Sequence, residues 1–362
     1  MARLLSLRAR RIRTAIVVLL VAVSTAGGLL AMAYSVGRGV APELRFLREQ
    51  KPLADGAAIC ACQIDYALHS HEVNDVVFIG DSAGHDGIDP ILFEKVSRHR
   101  AYNLCSERGL GPMGYLITIK AYLLNHPRPQ VVVLCITPIC FEADARTFGG
   151  DLPEQFATHY SPEVGLTTAP ERVAYFARCG ALSFVQSSRS DARDLPLEFL
   201  PSETYTTLRR RLSESRGFSR LDGQHGPPGA LDRRGEPVRV HAEWNYGVRR
   251  IAELCQSQNV PLFIRFAPLA EDDRGLREWG PLLDWCETIQ HDYPSVTVVN
   301  PAMQFFDRAL LWDSLHLNAE GAAHFTERLG RYLRAGSPSS RFTRPTYNGS
   351  TAKESASDPR QP

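Results

Sequence analysis

The stretch from Val76 to Glu94, VVFIGDSAGHDGIDPILFE, decides the fold. It opens with a short apolar β-type run, Val76-Val77-Phe78-Ile79, and passes into a polar turn, Gly80-Asp81-Ser82. A helix is expected over Ile88–Ser97, because Asp89 is a good capping residue and Pro90 suits the first helical position. Strand, turn and helix in that order put the Ser82 hydroxyl and backbone N–H at the carboxyl end of a strand, where open α/β sheets bind their ligands. A Gly-Asp-Ser tripeptide also serves as a plain chain reversal, so the turn alone leaves both readings open. Asp81 is expected to bond backbone groups within the turn, and Asp86 and Asp89 read as turn and cap residues.

The pattern of Val76–Ser97 continues outward. Strands are expected at Ala101–Cys105, Val131–Ile136, Pro261–Phe266 and Val296–Val299, with helices at Gly111–Asn125, Glu243–Gln258, Arg274–His291 and Asn318–Leu333. Val131–Ile136 (VVVLCI) is apolar without alternation, as a strand covered on both faces should be. Strand and helix alternating in this way imply right-handed crossovers and a parallel sheet. Residues 138–240 break the rhythm with Pro, Gly, Ser and Arg, and read as an insertion above the carboxyl end of the sheet. Helix-like patches occur there near 171–187 and 203–215, and Gly223–Pro237 reads as a long loop. The insertion is either a lid that shapes a substrate or a decoration.

Five arginines precede residue 14, and an uncharged run from Thr14 to Gly37 follows. A helix crosses a bilayer with roughly 20 apolar residues, and a basic flank stays on the cytoplasmic side. Residues 1–37 are therefore expected to be an anchor, with the body exported. A signal peptide is the alternative, since Ala31-Met32-Ala33 offers a cleavage site. Residues 38–74 read as a helical lead into one domain that ends near 335, and 336–362 as a disordered tail.

With 362 residues, 44% of them hydrophobic, the chain suits one large globular domain plus appendages. A net charge of +1, with the basic residues scattered, gives no nucleic-acid footprint. Arg209-Arg210-Arg211 reads as a solvated helix face. The eight cysteines match no zinc spacing. Cys105 and Cys135 are expected as buried thiols, and a disulfide among the others is open if the body is exported.

Near the far end stands Leu311-Trp312-Asp313-Ser314-Leu315-His316-Leu317-Asn318. Asp313 and His316 lie in a loop after the fifth expected strand, at the same sheet edge as Ser82. A carboxylate that bonds Nδ1–H leaves Nε2 to take a serine proton, the division of labour in a Ser-His-Asp triad. Gly80-Asp81-Ser82-Ala83-Gly84 also fits the elbow of α/β-hydrolases, but that fold needs several strands ahead of the serine. The chymotrypsin order, with His and Asp before Ser, is the reverse of the order here.

On these two blocks, Gly80-Asp81-Ser82 and Asp313-Ser314-Leu315-His316, the chain resembles the SGNH/GDSL hydrolases over roughly residues 74–335, the insertion excepted. The resemblance implies a flavodoxin-like three-layer α/β/α fold with strand order 2-1-3-4-5. It also implies catalysis by Ser82, His316 and Asp313 with no metal or cofactor. The family's oxyanion hole uses the serine N–H, a glycine after strand two and an asparagine after strand three. Gly109 is the candidate for the second position, with Gly111 as the fallback. The third position departs from the pattern: no Gly-x-Asn follows Val131–Ile136, and Thr137, or else the insertion, is the candidate to supply that hydrogen bond. Losing one such donor costs about 10²–10³ in rate. His85 reads as a substrate contact or as a loop residue beside the site. The anchored architecture is similar to that of cell-envelope proteins that move acyl groups on polysaccharides. The expected partners are therefore an acylated carbohydrate or other ester, the membrane, and envelope polysaccharide machinery. A catalytically weak relative that binds glycan or scaffolds an assembly is the alternative.

Overall fold

The computed structural model describes residues 55–143, 147, 152–161, 164–165, 202–223 and 236–335. The expected anchor, the 171–187 patch, most of the Gly223–Pro237 loop, Cys179 and the tail lie outside them. Among the described residues no helix is long and apolar enough to cross a membrane.

Five strands pair in parallel in the order β2-β1-β3-β4-β6: β1 (Val76–Gly80), β2 (Ala101–Asn103), β3 (Val131–Ile136), β4 (Leu262–Phe266) and β6 (Val296–Val298). The strands are apolar on both faces because helices cover both. Val77, Ile79, Val132, Leu134, Leu262 and Ile264 point into one core. It is shared with α1 (Asp55–His69), α4 (Gly111–Asn125), α7 (Ala242–Ser257) and α8 (Gly280–Asp292). Val76, Phe78, Val133 and Cys135 point into the other, with α2 (Ser82–Gly87), α3 (Pro90–Ser97) and α9 (Ala319–Arg334). Three layers result, and the strand period of two sorts each side chain to its layer. A two-residue ladder, β5 (Leu269–Ala270) with β7 (Phe305–Phe306), stands apart from the main sheet.

Helix starts follow local chemistry. Asp89 caps α3 by accepting from Ile91 and Leu92 N–H, with Pro90 in its first turn. Asn318 caps α9 by accepting from Gly321 N–H. Three expected boundaries move. Strand β2 stops at Asn103 rather than Cys105, because the Asn103 side chain takes the Cys105 N–H at 3.0 Å. Helix α8 begins at Gly280 rather than Arg274, because Gly280-Pro281 starts it and residues 271–273 form a separate 3-10 turn. Within the expected 38–74 helical stretch, α1 occupies Asp55–His69.

The described part of the insertion contributes α5 (Leu152–Tyr160) and α6 (Ser202–Glu214). Arg209, Arg210 and Arg211 lie on the exposed side of α6. The chain after α6 runs beside the end of β2, where Asn103 N–H donates to Arg216 O at 2.9 Å. Gly217 has φ +88, and a Cβ there would stand 1.9 Å from Asn103 O, so no side chain fits. The segment then reaches α9, where Ala319 N–H donates to Leu221 O.

Candidate functional site

The site begins where β1 ends. Gly80 has φ +151, and a Cβ on it would lie 1.7 Å from Cys135 O, so β1 and β3 close together only over a glycine. Asp81, fully buried, caps α2: its Oδ1 accepts from Ala83 and Gly84 N–H. Its Oδ2 accepts from Thr137 N–H at 2.7 Å and from Cys140 Sγ at 3.3 Å. Asp81 thus does more than shape a turn; it ties the end of β1 to the loop after β3. Ser82 is the first residue of α2, where helix geometry leaves its N–H without an intrahelical acceptor.

Asp313 and His316 share one small loop. Leu311 and Leu317 form an antiparallel bridge, and Trp312 N–H donates to His316 O at 2.8 Å, closing the loop. Inside it Asp313 Oδ1 accepts from the N–H groups of Leu315 and His316, both at 2.7 Å. Asp313 Oδ2 stands 2.8 Å from His316 Nδ1, and His316 Nε2 stands 2.9 Å from Ser82 Oγ. A carboxylate only accepts, so Nδ1 carries the hydrogen and Nε2 is left to accept from the serine hydroxyl. The structure therefore brings Ser82, His316 and Asp313 into one hydrogen-bonded line, from a helix start and a loop 234 positions apart.

The electrostatics suit a base. Burial works against the Asp313 carboxylate, but the hydrogen bond and charge of His316 and the two backbone donors outweigh it, pulling Asp313 down to about 2. Burial likewise opposes the His316 imidazolium, and Asp313 overcomes it, so the ring titrates above an ordinary histidine. Asp86, four residues after Ser82 on α2, is part of the helix rather than a turn. Burial, with Glu107, Asp313 and Asp81 adding to it and His316 opposing, pushes Asp86 up to about 7.

The remaining expected residues fall differently. Gly109 is buried in the 3-10 turn Arg108–Leu110 that follows β2, and Gly111 opens α4 directly after it. Thr137 is buried, and its N–H is held by Asp81, so that N–H is not offered to a substrate. His85 is neither a loop residue nor an open contact. It is 1% exposed, with Nδ1 3.1 Å from Cys105 O and Nε2 2.9 Å from Ser219 Oγ. Burial, partly offset by the Cys105 carbonyl, takes its pKa down to about 4, so the ring is neutral at pH 7. Both of its nitrogens are spent on structure.

Two supporting residues escape sequence reasoning. Asn103 Nδ2 donates to Gly84 O at 2.9 Å and Ile88 O at 3.0 Å, fastening α2 and the turn after it to β2. An asparagine inside the apolar run AYNLC was the available signal. Ser219, within the insertion, had none. Among the described residues no group of His, Cys, Asp and Glu is arranged to hold a metal ion. The seven cysteines among them are buried and unpaired, Cys105 and Cys135 as expected. No protein-family model, curated protein or solved structure matches the chain.

Proposed function

We propose that the chain is a serine esterase or O-acyltransferase of the SGNH/GDSL kind. The observation that carries this reading is the unbroken contact line Ser82–His316–Asp313, at 2.9 and 2.8 Å. In it His316 Nε2 takes the Ser82 proton as Oγ attacks the acyl carbonyl. Asp313 stabilises the resulting imidazolium. The developing oxyanion is met by the N–H groups of Ser82 and Gly109. His316 then returns the proton to the leaving oxygen as the acyl-enzyme forms. Water or a sugar hydroxyl, deprotonated by His316 in turn, releases the acyl group from Ser82. No metal or cofactor takes part in this scheme.

The finer features belong to the same reading. The parallel order β2-β1-β3-β4-β6 agrees with a flavodoxin-like arrangement. The run Thr14–Gly37, behind its arginines, serves as a single anchor. The domain faces the exoplasmic side and acts on acyl, above all acetyl, esters of envelope polysaccharide.

The full-length protein should hydrolyse p-nitrophenyl acetate and be labelled at Ser82 by a fluorophosphonate. Ser82→Ala should abolish both. Labelling that persists in Ser82→Ala refutes the nucleophile. A second reading, a glycan-binding protein without turnover, is favoured by Thr137, whose N–H is committed to Asp81 where the family places an asparagine. Stoichiometric glycan binding by wild-type protein that resists the fluorophosphonate would establish it.

A further inference from the structure

A second concave site lies apart from the serine. It is a cavity of about 940 Å³ alongside β6, the edge strand, and none of Ser82, Asp313 and His316 lines it. Its walls come from both helical layers, since Leu283 belongs to α8 and Leu329 to α9. The volume is at the large end of ligand pockets.

The charge in its walls is one-sided. Arg265, Arg274, Arg277 and Arg328 line the cavity against one carboxylate, Glu278. Arg274 and Arg277 have partners outside the lining, Glu271 and Glu142. Arg265 and Arg328 have no carboxylate partner among the described residues. Arg328 stands over the Phe306 ring, 5.2 Å from its centre.

Arg265 is the unusual group. It sits inside β4 and is 2% exposed. Its Nη1 donates to Pro301 O at 3.0 Å, its plane lies over Phe325, and its Nε has no acceptor. Burial, with Arg328 adding to it, lowers its pKa to about 10, so it stays charged at neutral pH. A buried cation without a counter-charge is costly, and such groups are found paired.

Other polar atoms in the wall are also unpaired. Trp279 Nε1 and Gln304 Oε1 are buried without partners, in residues 6% and 7% exposed. The start of α8 at Trp279–Gly280 has no side-chain cap. Trp279 and Gly280 line the cavity, so the positive end of the helix lies at its wall. Asn300 and Tyr332 also line it, and Leu283, Met303, Phe305 and Leu329 give it an apolar side.

We propose that this cavity binds an amphiphilic anion, with a carboxylate or phosphate head between Arg265, Arg328 and the start of α8 and an apolar body against Leu283, Phe305 and Leu329. The charge fixes the sign of the head. The volume and the apolar wall exclude a bare inorganic ion as the full occupant. The site is independent of the serine chemistry.

Titration calorimetry on the full-length protein tests this with dodecyl phosphate and dodecanoate below their micellar concentrations, and with inorganic phosphate and octyl glucoside. At least one of the two anionic amphiphiles should bind saturably, one per chain, and weaken as salt rises. Inorganic phosphate should bind at least about tenfold more weakly, the worth of a few buried methylenes. Arg328→Gln, an exposed position where folding should survive, should weaken the amphiphile about tenfold, as expected for the loss of one charge-assisted contact. Ser82→Ala should bind like wild type, so failure here is separate from failure of the esterase reading. Equal binding of octyl glucoside, equal binding of inorganic phosphate, indifference to Arg328→Gln, or no saturable binding by either anionic amphiphile overturns the proposal.

Discussion

Replacing Asp81 by asparagine tests how the nucleophile loop is held. The two side chains have the same shape, so packing is unchanged and only acceptor capacity is lost. Asp81 now accepts from Ala83 and Gly84 N–H on one oxygen and from Thr137 N–H and Cys140 Sγ on the other. An amide has one oxygen. It will keep the 2.7 Å contact with Thr137 and turn its NH₂ toward the Ala83 and Gly84 N–H groups. Losing the cap costs about 1 kcal/mol. Leaving buried donors facing a donor adds about 1–3 kcal/mol. The sum is about 3 kcal/mol, or a melting temperature lower by about 6–12 °C for a domain of this size. Urea denaturation followed by tryptophan fluorescence measures it, with Cys140→Ala as a comparison that removes only a weak S–H donor. Fluorophosphonate labelling should also slow, because α2 carries Ser82. Stability within about 0.5 kcal/mol of wild type would show that Asp81 is not the tie described here.

Activity should fall as pH drops through the His316 pKa, because the protonated ring cannot accept from Ser82. Asp313 raises that pKa, so Asp313→Asn, which leaves burial unopposed by its charge, should move the acidic limb of the pH–rate profile to lower pH and cost about 10⁴ in kcat. An unmoved limb would separate Asp313 from the ring. Gly80→Ala forces a Cβ onto Cys135 O and a φ that alanine resists, and should destabilise by about 3–5 kcal/mol, read as loss of soluble protein or a lower denaturation midpoint. The buried thiols should react with a thiol reagent only on unfolding, releasing at least seven equivalents without prior reduction; fewer would reveal a disulfide.

Much of this arrangement was legible because its causes are local. Asp89-Pro90 announces the start of α3, and VVVLCI announces a strand covered on both faces. Asp313 and His316 are near neighbours in the chain, so their pairing follows from spacing. What escaped depends on distant contacts. Nothing in residues 274–279 reveals that they stay out of the helix and that Glu278 makes the bridge with Pro237 instead. The β5–β7 ladder is too short for its alternation to be seen. Asp81 reads as a turn residue until Thr137, 56 positions away, is found on it. His85 reads as a site residue until Ser219, from the insertion, occupies its second nitrogen. Arg265 was the visible exception, a cation inside the apolar run PLFIRF.

The closed loop of residues 312–316 has a mechanical consequence. The carboxylate and imidazole are preassembled by a few adjacent peptide groups and travel as one piece. The serine arrives on a different element, α2, whose end is tied to α9 where Thr326 Oγ1 donates to Gly87 O and accepts from Asp89 N–H. Anything that unseats α9 from α3, where Gly330 lies close against Val96, would swing the intact pair away from the hydroxyl and silence the reaction without disturbing either half. Turnover would then serve as a gauge of whether the last helix is docked.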